Sequence, residues 1–456
     1  MAHPTDSIVG AMRSPSPEDR ALIARAYDIA EKAHGDEKRK SGEPYITHPL
    51  SIALHLAEIG MDRDTVIAGI LHDTLEDTAL TAADIEKEFG TSVRQLVEGV
   101  TKLSKLKYRG LERTIGSLRR LILATADDPR TIIIKLADRL HNMETIRHHS
   151  EPEKIARIAR ETMRVYVPIA ESLNIGYFKK RLEDLAFEVL EPVEFKKTKA
   201  LFEKQRSDLN KDLEEALREI KKIIASTGIK NFRTERRIKG IRSFWRKLNL
   251  KGGDTDKVFD VLAARVIVST VDECYQALAA VHREGNPVPD QVRDFVSRPK
   301  DNGYRSIHTA VVTKTGMVMS LHILTEEMHY VNEYGSASHF SYKFGESRDS
   351  AQREAAVTFF KERFFAFTPK GDVIDLPSGA TPVDFAYAVH SSLGNSMVGA
   401  KINGKLVSLE TPIKNGDIVE VVTKKNGKPN KKWLEFAKTS GAKKHIRSAL
   451  KLPPPR

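Results

Sequence analysis

The run Val66-Ile67-Ala68-Gly69-Ile70 leads directly into Leu71-His72-Asp73-Thr74-Leu75-Glu76-Asp77-Thr78. Its apolar part reads as a buried helix, hydrophobic on most sides. Continuing that helix puts His72, Asp73, Glu76 and Asp77 where burial is costly, so each needs a partner. A metal ion is a common partner for adjacent His and Asp. On an unbroken helix His72 pairs with Glu76, and Asp73 with Asp77, each at i,i+4. Two acids then sit one turn from two ligands, which suits a metal-activated water with carboxylates at hand for its protons.

The flanking sequence supplies more of the same chemistry. From Asp19 to about Leu190 the pattern is almost entirely helical, with Ala21, Leu22, Ala24, Ala26 and Ile29 marking the first helix. A Lys-, Arg-, Gly- and Pro-rich loop, Gly35 to Pro49, ends at Ile46-Thr47-His48-Pro49, and a helix runs on from Leu50 to about Ile59. A further helix spans Thr131 to Met143, with Asp138 and Asn142 on one face beside Lys135 and with Ile133, Leu136, Ala137 and Leu140 on the apolar side. Taken singly, His48 reads as a cap or loop residue and Asp138-Arg139 as a surface pair. Taken together, His48, His72, Asp73 and Asp138 form a His2Asp2 set whose nitrogen and oxygen donors suit Mn, Fe or Zn.

Composition narrows the setting. The chain of 456 residues has room for two to four domains. Its single cysteine, Cys274, excludes an intramolecular disulfide and fits a reducing compartment. The sequence has no apolar run long enough to span a membrane, and Met1 to Gly10 lacks the pattern of a secretory signal. The expected location is the cytoplasm, with no membrane partner. The net charge of +12 fits phosphate-bearing partners, or simply a basic solvated surface.

The order His48, His72-Asp73, Asp138 resembles the HD phosphohydrolase superfamily. The longer stretches Arg39-Lys40-Ser41-Gly42-Glu43-Pro44-Tyr45-Ile46-Thr47-His48-Pro49, Leu71 to Thr78, Gly99-Val100-Thr101-Lys102-Leu103 and Lys135 to Met143 resemble its Rel/SpoT branch, which makes and degrades the alarmones ppGpp and pppGpp. The resemblance implies that His48, His72, Asp73 and Asp138 bind Mn2+, and that Glu76 and Asp77 serve the hydrolytic water. It also implies that Arg39, Ser41, Asn142 and Thr145 hold the nucleotide. Arg39 and Lys40 suit the charges of a 3′-pyrophosphate, although without the family they read as a solvated loop. The implied activity is release of pyrophosphate from (p)ppGpp, leaving GDP or GTP, in control of the stringent response.

Glu191-Pro192 ends this helical region. A long charged helix, roughly Glu194 to Ala225, follows with Leu201, Leu209, Leu213, Leu217 and Ile220 near heptad spacing. From Phe232 strands and helices mix: Val261–Val268 as a strand, Asp272–Arg283 as a helix, and Ser306–Thr313 with Val318–Thr325 as a hairpin. This part resembles the family's synthetase domain, which transfers pyrophosphate from ATP to the 3′-hydroxyl of GDP or GTP. Arg237, Lys239, Ser243 and Lys247 match its phosphate-contacting segment, and Asp260 matches its magnesium aspartate. Lys300, Asn302, Tyr304 and His308 match its guanine loop, where an aromatic ring suits base stacking. The resemblance fails in Ser320-Leu321-His322-Ile323-Leu324-Thr325. There Ser320 replaces the catalytic glutamate, His322 a glutamine and Leu324 an arginine; Arg236 likewise replaces a glycine. Serine carries no charge with which to hold Mg2+ or activate a hydroxyl. Synthesis is therefore expected to be weak or absent, with Mg2+ relevant only to an active synthetase site. The domain then serves either to bind a guanine nucleotide or as scaffold.

Phe364 to Leu376 reads as strand, Pro-Lys-Gly turn and strand. A helix from Thr381-Pro382 to about His390 follows, then a hairpin over Val398–Leu409 turning at Asn403-Gly404 and a strand from Asp417 to Thr423. This resembles a TGS domain, with His390 at a position implicated in tRNA contact in ribosome-dependent relatives; docking on the chain's own catalytic part is the other reading. From Lys424 onward eleven Lys or Arg face one acid, Glu435, which suits either RNA phosphates or a solvated helix. The expected fold class is multidomain α and α+β. Its parts are a loose lead-in (1–18), an all-helical HD domain (19–192), a mixed α/β nucleotidyltransferase-like synthetase domain (193–345), a small β-grasp TGS domain (360–424) and a basic helical tail (425–456). Two functions of other classes stay open beside the hydrolase: a bifunctional synthetase/hydrolase, and a stress regulator that binds nucleotide, tRNA or protein without catalysis.

Overall fold

The computed structural model describes residues 3–104, 128, 130–258, 261–300, 302–314, 316, 318–335, 363–425 and 427–453. By packing, the chain divides into one unit drawn from residues 1–150, 164–172 and 336–456, and another drawn from 151–163 and 173–335. The sequence break at Glu191-Pro192 thus falls inside the second unit.

The first unit begins with helices, not with a loose lead-in. Helix α1 (Asp6–Ala11) buries Ile8 and Val9. The prolines of this stretch mark helix ends: Pro17 opens α2 (Pro17–His34), where Ser16 and Asp19 form a reciprocal capping box. Helix α3 starts at Thr47, not at Leu50, and runs to Glu58, so His48 lies in its first turn. Pro49 is tolerated there because a first-turn N–H lacks a helical partner anyway. Helix α4 (Arg63–Leu71) is buried from Thr65 to Leu71 and packs on α3. Gly69 permits that approach, since a Cβ there would lie 2.5 Å from Leu56 Cδ1.

The expected unbroken helix through Thr78 is interrupted. Helix α4 ends at Leu71, and a short α5 (Thr74–Asp77) follows. The Gly69 carbonyl accepts from His72 Nδ1 at 3.0 Å, and the Leu71 carbonyl accepts from Thr74 Oγ1 at 2.7 Å. Side chains thus compete for carbonyls that a continuing helix would use. Helices α6 (Ala82–Ser104) and α7 (Arg130–Glu144) complete the wall around α4.

In the second unit, α8 (Pro152–Glu161) packs on α10 (Gly176–Leu190), which also meets α11 (Pro192–Ser226); the short α9 (Val167–Ser172) belongs to the first unit. Leu213, Leu217 and Ile220 of α11 enter the core as expected. Leu201 does not: it is 42% exposed, and neighbouring Phe202 is buried instead, because the 3.6-residue turn rotates that end away from a strict heptad. The side chain of Leu209 lies outside the described residues. Strand β1 (Arg233–Ile238) pairs antiparallel with β2 (Leu262–Val268), and β2 pairs parallel with β6 (Val318–Thr325). Strand β5 (Ile307–Val312) pairs antiparallel with β6 and carries the two-residue strands β3 (Asn286–Pro287) and β4 (Arg293–Asp294). Helices α12 (Ile241–Leu250), α13 (Val271–Glu284) and α14 (Glu326–Tyr334) complete this mixed-sheet unit. Asp184 of α10 caps α12 from outside, accepting from the Ile241 and Arg242 backbone N–H groups at 3.2 and 2.9 Å.

The C-terminal segment is a small sheet-and-helix module. Strands β7 (Arg363–Phe367) and β8 (Val373–Pro377) pair, and β9 (Met397–Ile402) lies between β10 (Lys405–Val407) and β11 (Val419–Thr423). Asn403 and Gly404 turn the hairpin with φ of 50° and 81°, as a two-residue turn of this hand demands. Helix α15 (Pro382–Val389), followed by the short α16 (Ser391–Ser396), shares a core with Trp433 of α17 (Trp433–Phe436) and Ile446 of α18 (Ser440–Ala449). Asp384 ties them together from full burial. One carboxylate oxygen accepts from Thr381 N and Oγ1, while the other accepts from Lys438 N, Thr439 N and Thr439 Oγ1 at 2.7–3.0 Å. Asp384→Ala should strand these donors and destabilise the module by about 2–4 kcal/mol. Hydrogen exchange should show amides of α17 and α18 losing protection, while those of α4 keep theirs.

Candidate functional site

The break after α4 aims two side chains at one point. His72 is fully buried, and its Nδ1 donates to the Gly69 carbonyl, so Nε2 carries a lone pair. That Nε2 has no hydrogen-bond partner and lies 2.8 Å from Asp73 Oδ2. From α3, His48 Nε2 lies 3.8 Å from Asp73 Oδ2 and 3.4 Å from Asp138 Oδ1 of α7. Donor atoms of His48, His72 and Asp138 all fall within 4.8 Å of one another. The four residues singled out in the sequence are thus brought together. An imidazole lone pair facing carboxylate oxygens, with an orphaned buried nitrogen among them, fits a divalent cation with a taste for nitrogen and oxygen.

The surrounding charges reinforce one another. Burial alone would raise the Asp138 pKa, but Lys135, with Nζ 3.0 Å from Asp138 Oδ2, and the neighbouring His48 and His72 hold it well below the usual carboxylate range. Burial likewise opposes ionisation of Asp73, and the adjacent His72 outweighs it. Burial lowers the His48 pKa. For His72, the pull of Asp73 exceeds the cost of burial, and the pKa rises.

A cavity of about 420 Å³ opens over these groups, lined among others by Arg39, Lys40, Ser41, Asn142 and Thr145. All five residues expected to hold a nucleotide therefore line one space with His48, Asp73 and Asp138. Arg39 donates to Asn142 Oδ1 at 3.4 Å and Thr145 Oγ1 at 3.3 Å, Lys40 Nζ lies 3.2 Å from His149 Nδ1, and Ser41 Oγ donates to Glu43. Glu76 and Asp77 sit on α5, directly after Asp73 and apart from that lining. One Glu76 carboxylate oxygen is buried. Asp77 is exposed, and burial of its carboxyl, then the charges of Asp73 and Glu37, raise its pKa.

Three residues of this centre escape a reading from sequence. Tyr45 donates its hydroxyl to Asp73 Oδ2 at 2.7 Å. Lys135 neutralises Asp138. His141 Nδ1 lies 2.7 Å from His48 Nδ1 and 3.0 Å from Arg39 Nη1. Burial, then His48 and Arg39, push the His141 pKa down to about 3. The signal was present for Lys135 and His141, which lie three residues either side of Asp138 on one helix; Tyr45 offered none beyond its loop.

In the second unit, Arg237 lies on β1 opposite Ala263, and the Lys239 backbone N–H donates to the Val261 carbonyl at 3.1 Å. Tyr304 OH lies 2.8 Å from His308 Nε2 and 3.4 Å from His322 Nδ1, whose rings stack at 3.9 Å. Burial, then His308, Arg237, Arg265 and Lys239, hold the His322 pKa far down. Tyr304 and His308 therefore meet at His322, which also feels the charges of Arg237 and Lys239. The Lys300 ammonium lies 4.7 Å from the centre of the Tyr304 ring, and Asn302 Oδ1 accepts from Tyr304 N. Ser243 and Lys247 lie on α12, where Ser243 Oγ reaches Glu183 at 3.5 Å. Asp260 lies outside the described residues. Ser320 is buried in mid-strand, paired with Ala263 and Ala310, so its position in the sheet offers no carboxylate.

Replacing Lys135 with Met should leave Asp138 buried without its counter-charge and cost about 3–5 kcal/mol at neutral pH. In the unsubstituted chain the depressed Asp138 pKa contributes stability above the ordinary carboxylate range, lost as pH falls through the folded value. In Lys135→Met that pKa rises. The difference in stability between the two chains should therefore shrink on acidification from pH 7 toward pH 3, as urea midpoints would show.

Family models match along the chain: the HD domain over residues 26–176, the region found in RelA/SpoT proteins over 236–347, and the TGS domain over 364–423. A guanosine-3′,5′-bis(diphosphate) 3′-pyrophosphohydrolase of Aquifex aeolicus is 43% identical, aligned over 95% of this chain and 65% of its own length. A GTP pyrophosphokinase of Myxococcus xanthus is 41% identical over 96% of this chain and 61% of its own. The bifunctional (p)ppGpp synthase/hydrolase SpoT of Escherichia coli is 39% identical over 95% and 66%. The chain thus spans somewhat under two thirds of the length of these curated relatives, whose names divide between hydrolysis, synthesis and both. Among the described residues no helix is long and apolar enough to cross a membrane. With a helical HD domain, a mixed-sheet RelA/SpoT region and a small TGS domain in that order, the chain belongs to the Rel/SpoT family.

Proposed function

We propose that this protein is a cytoplasmic hydrolase that removes the 3′-pyrophosphate of (p)ppGpp, leaving GDP or GTP, with a divalent cation held by His48, His72, Asp73 and Asp138. The observation that carries this reading is the convergence of those donors beneath a cavity rimmed by Arg39, Lys40 and Ser41. Manganese is the ion favoured by family resemblance and suits the nitrogen and oxygen donors. A divalent ion supplies acidification of water and neutralisation of phosphate charge at such a site. Glu76 and Asp77 orient the attacking water and take its proton. Arg39 and Lys40 bind the pyrophosphate, while Ser41, Asn142 and Thr145 fix the nucleoside.

Synthesis is absent in this reading, because Ser320 leaves the sheet without the carboxylate that the transfer requires. Arg237, Lys239, Tyr304 and His308 favour retained binding of a guanine nucleotide there. The TGS module and the basic segment after Lys424 serve a tRNA, ribosome or protein partner.

Incubation with ppGpp and Mn2+ should give GDP and pyrophosphate, and ATP with GDP and Mg2+ should give no alarmone. Asp73→Ala and Glu76→Ala should each lower hydrolysis by at least about a hundredfold. Alarmone formed from ATP by the Asp73→Ala chain would replace this reading with a bifunctional enzyme. Full turnover in either variant would remove the assigned site.

A further inference from the structure

We infer that His141, which the function described above does not use, is a positioning residue that fixes the tautomer and orientation of His48 at the cation site. The inference rests on the proposed metal-binding role of His48 and on three contacts. His48 Nε2 is the atom that faces Asp138 Oδ1 and Asp73 Oδ2. In the proposed role that nitrogen offers its lone pair to the cation, so the ring proton sits on Nδ1. His141 Nδ1 lies 2.7 Å from His48 Nδ1 and accepts from it. Arg39 Nη1 lies 3.0 Å from His141 Nδ1 and 3.5 Å from its Nε2, packed against the ring. Both rings are buried, His48 to 4% and His141 to 8% exposure, so water is a poor substitute for the contact.

The arrangement makes a chain of command from the cavity rim to the site. Arg39 packs against His141, His141 accepts from His48, and the outcome is an imidazole with its ligating nitrogen turned inward. The Gly69 carbonyl does the same for His72, so both imidazoles are preset by a partner on their outer nitrogen. A second branch reaches Asp138: Arg39 donates to Asn142 Oδ1, and Asn142 Nδ2 donates to Asp138 Oδ1 at 2.6 Å. The guanidinium assigned to substrate phosphate is thus also the outer anchor of two ligands.

The test is the affinity of the full chain for Mn2+, read from the electron paramagnetic resonance signal of free ion, for the unsubstituted chain, His141→Phe and His141→Gln. Phenylalanine fills the space without an acceptor, whereas the glutamine Oε1 can accept from His48 Nδ1. The expected result is a 10- to 100-fold weaker affinity in His141→Phe, with most of the loss restored in His141→Gln. Unchanged affinity in His141→Phe would overturn the assignment. So would equal weakening in both variants with matching falls in melting temperature, which would make His141 a packing residue. Failure of the unsubstituted chain to bind Mn2+ would instead overturn the metal reading of His48, and this inference with it.

Discussion

Mutual neutralisation of ionisable groups inside an apolar helical wall is the constraint on which the first unit depends. Asp138 would be intolerable at its depth without Lys135 and His48, and Asp73 without His72 and Tyr45. Each of these partners comes from a different part of the chain: the loop before α3, α3 itself, the break after α4, and α7. Their electrostatic demands therefore set how those helices meet. The apolar residues of α4 supply the driving force for burial, but they do not choose the register in which α3, α4 and α7 come together. The polar centre does.

The second unit has the reverse balance. Its sheet and the α11 and α13 helices around it form a large apolar core whose integrity needs no charged centre. Ser320 sits in that sheet as a small residue between Ala263 and Ala310, where its packing makes no use of charge. Chemistry can thus be lost from the second unit without loss of fold, whereas removing one charge from the first unit exposes the others. Under the proposed function, this asymmetry lets a hydrolytic centre persist in a chain whose synthetic centre is altered.

Much of the site was legible because its residues lie in short, dense motifs. His72 and Asp73 are adjacent, and Asp138 shares a helix with Asn142. The helical, mixed-sheet and small-sheet character of the successive regions followed from the change of period from 3.6 to 2. What escaped depended on distance or on local competition. His141 acquires its role from a residue 93 positions away, and Tyr45 from one 28 away. The break at His72 arises because two side chains take backbone acceptors, which a hydrophobic pattern does not register. The N-terminal prolines suggested looseness, yet Pro17 in fact starts a capped helix.

The tie through Asp384 changes what counts as the C-terminal folding unit. The TGS family match ends at residue 423, but the carboxylate inside that match is satisfied by backbone from Lys438 and Thr439. Trp433 and Ile446 close the same core. A fragment cut at the family boundary would carry a buried anion without its donors and an apolar face without its cover. The packed piece extends through α18, so the basic residues carried on α18 and on the turn between α17 and α18 are tied to the module. Whatever those charges meet, they meet it with an orientation set by the sheet.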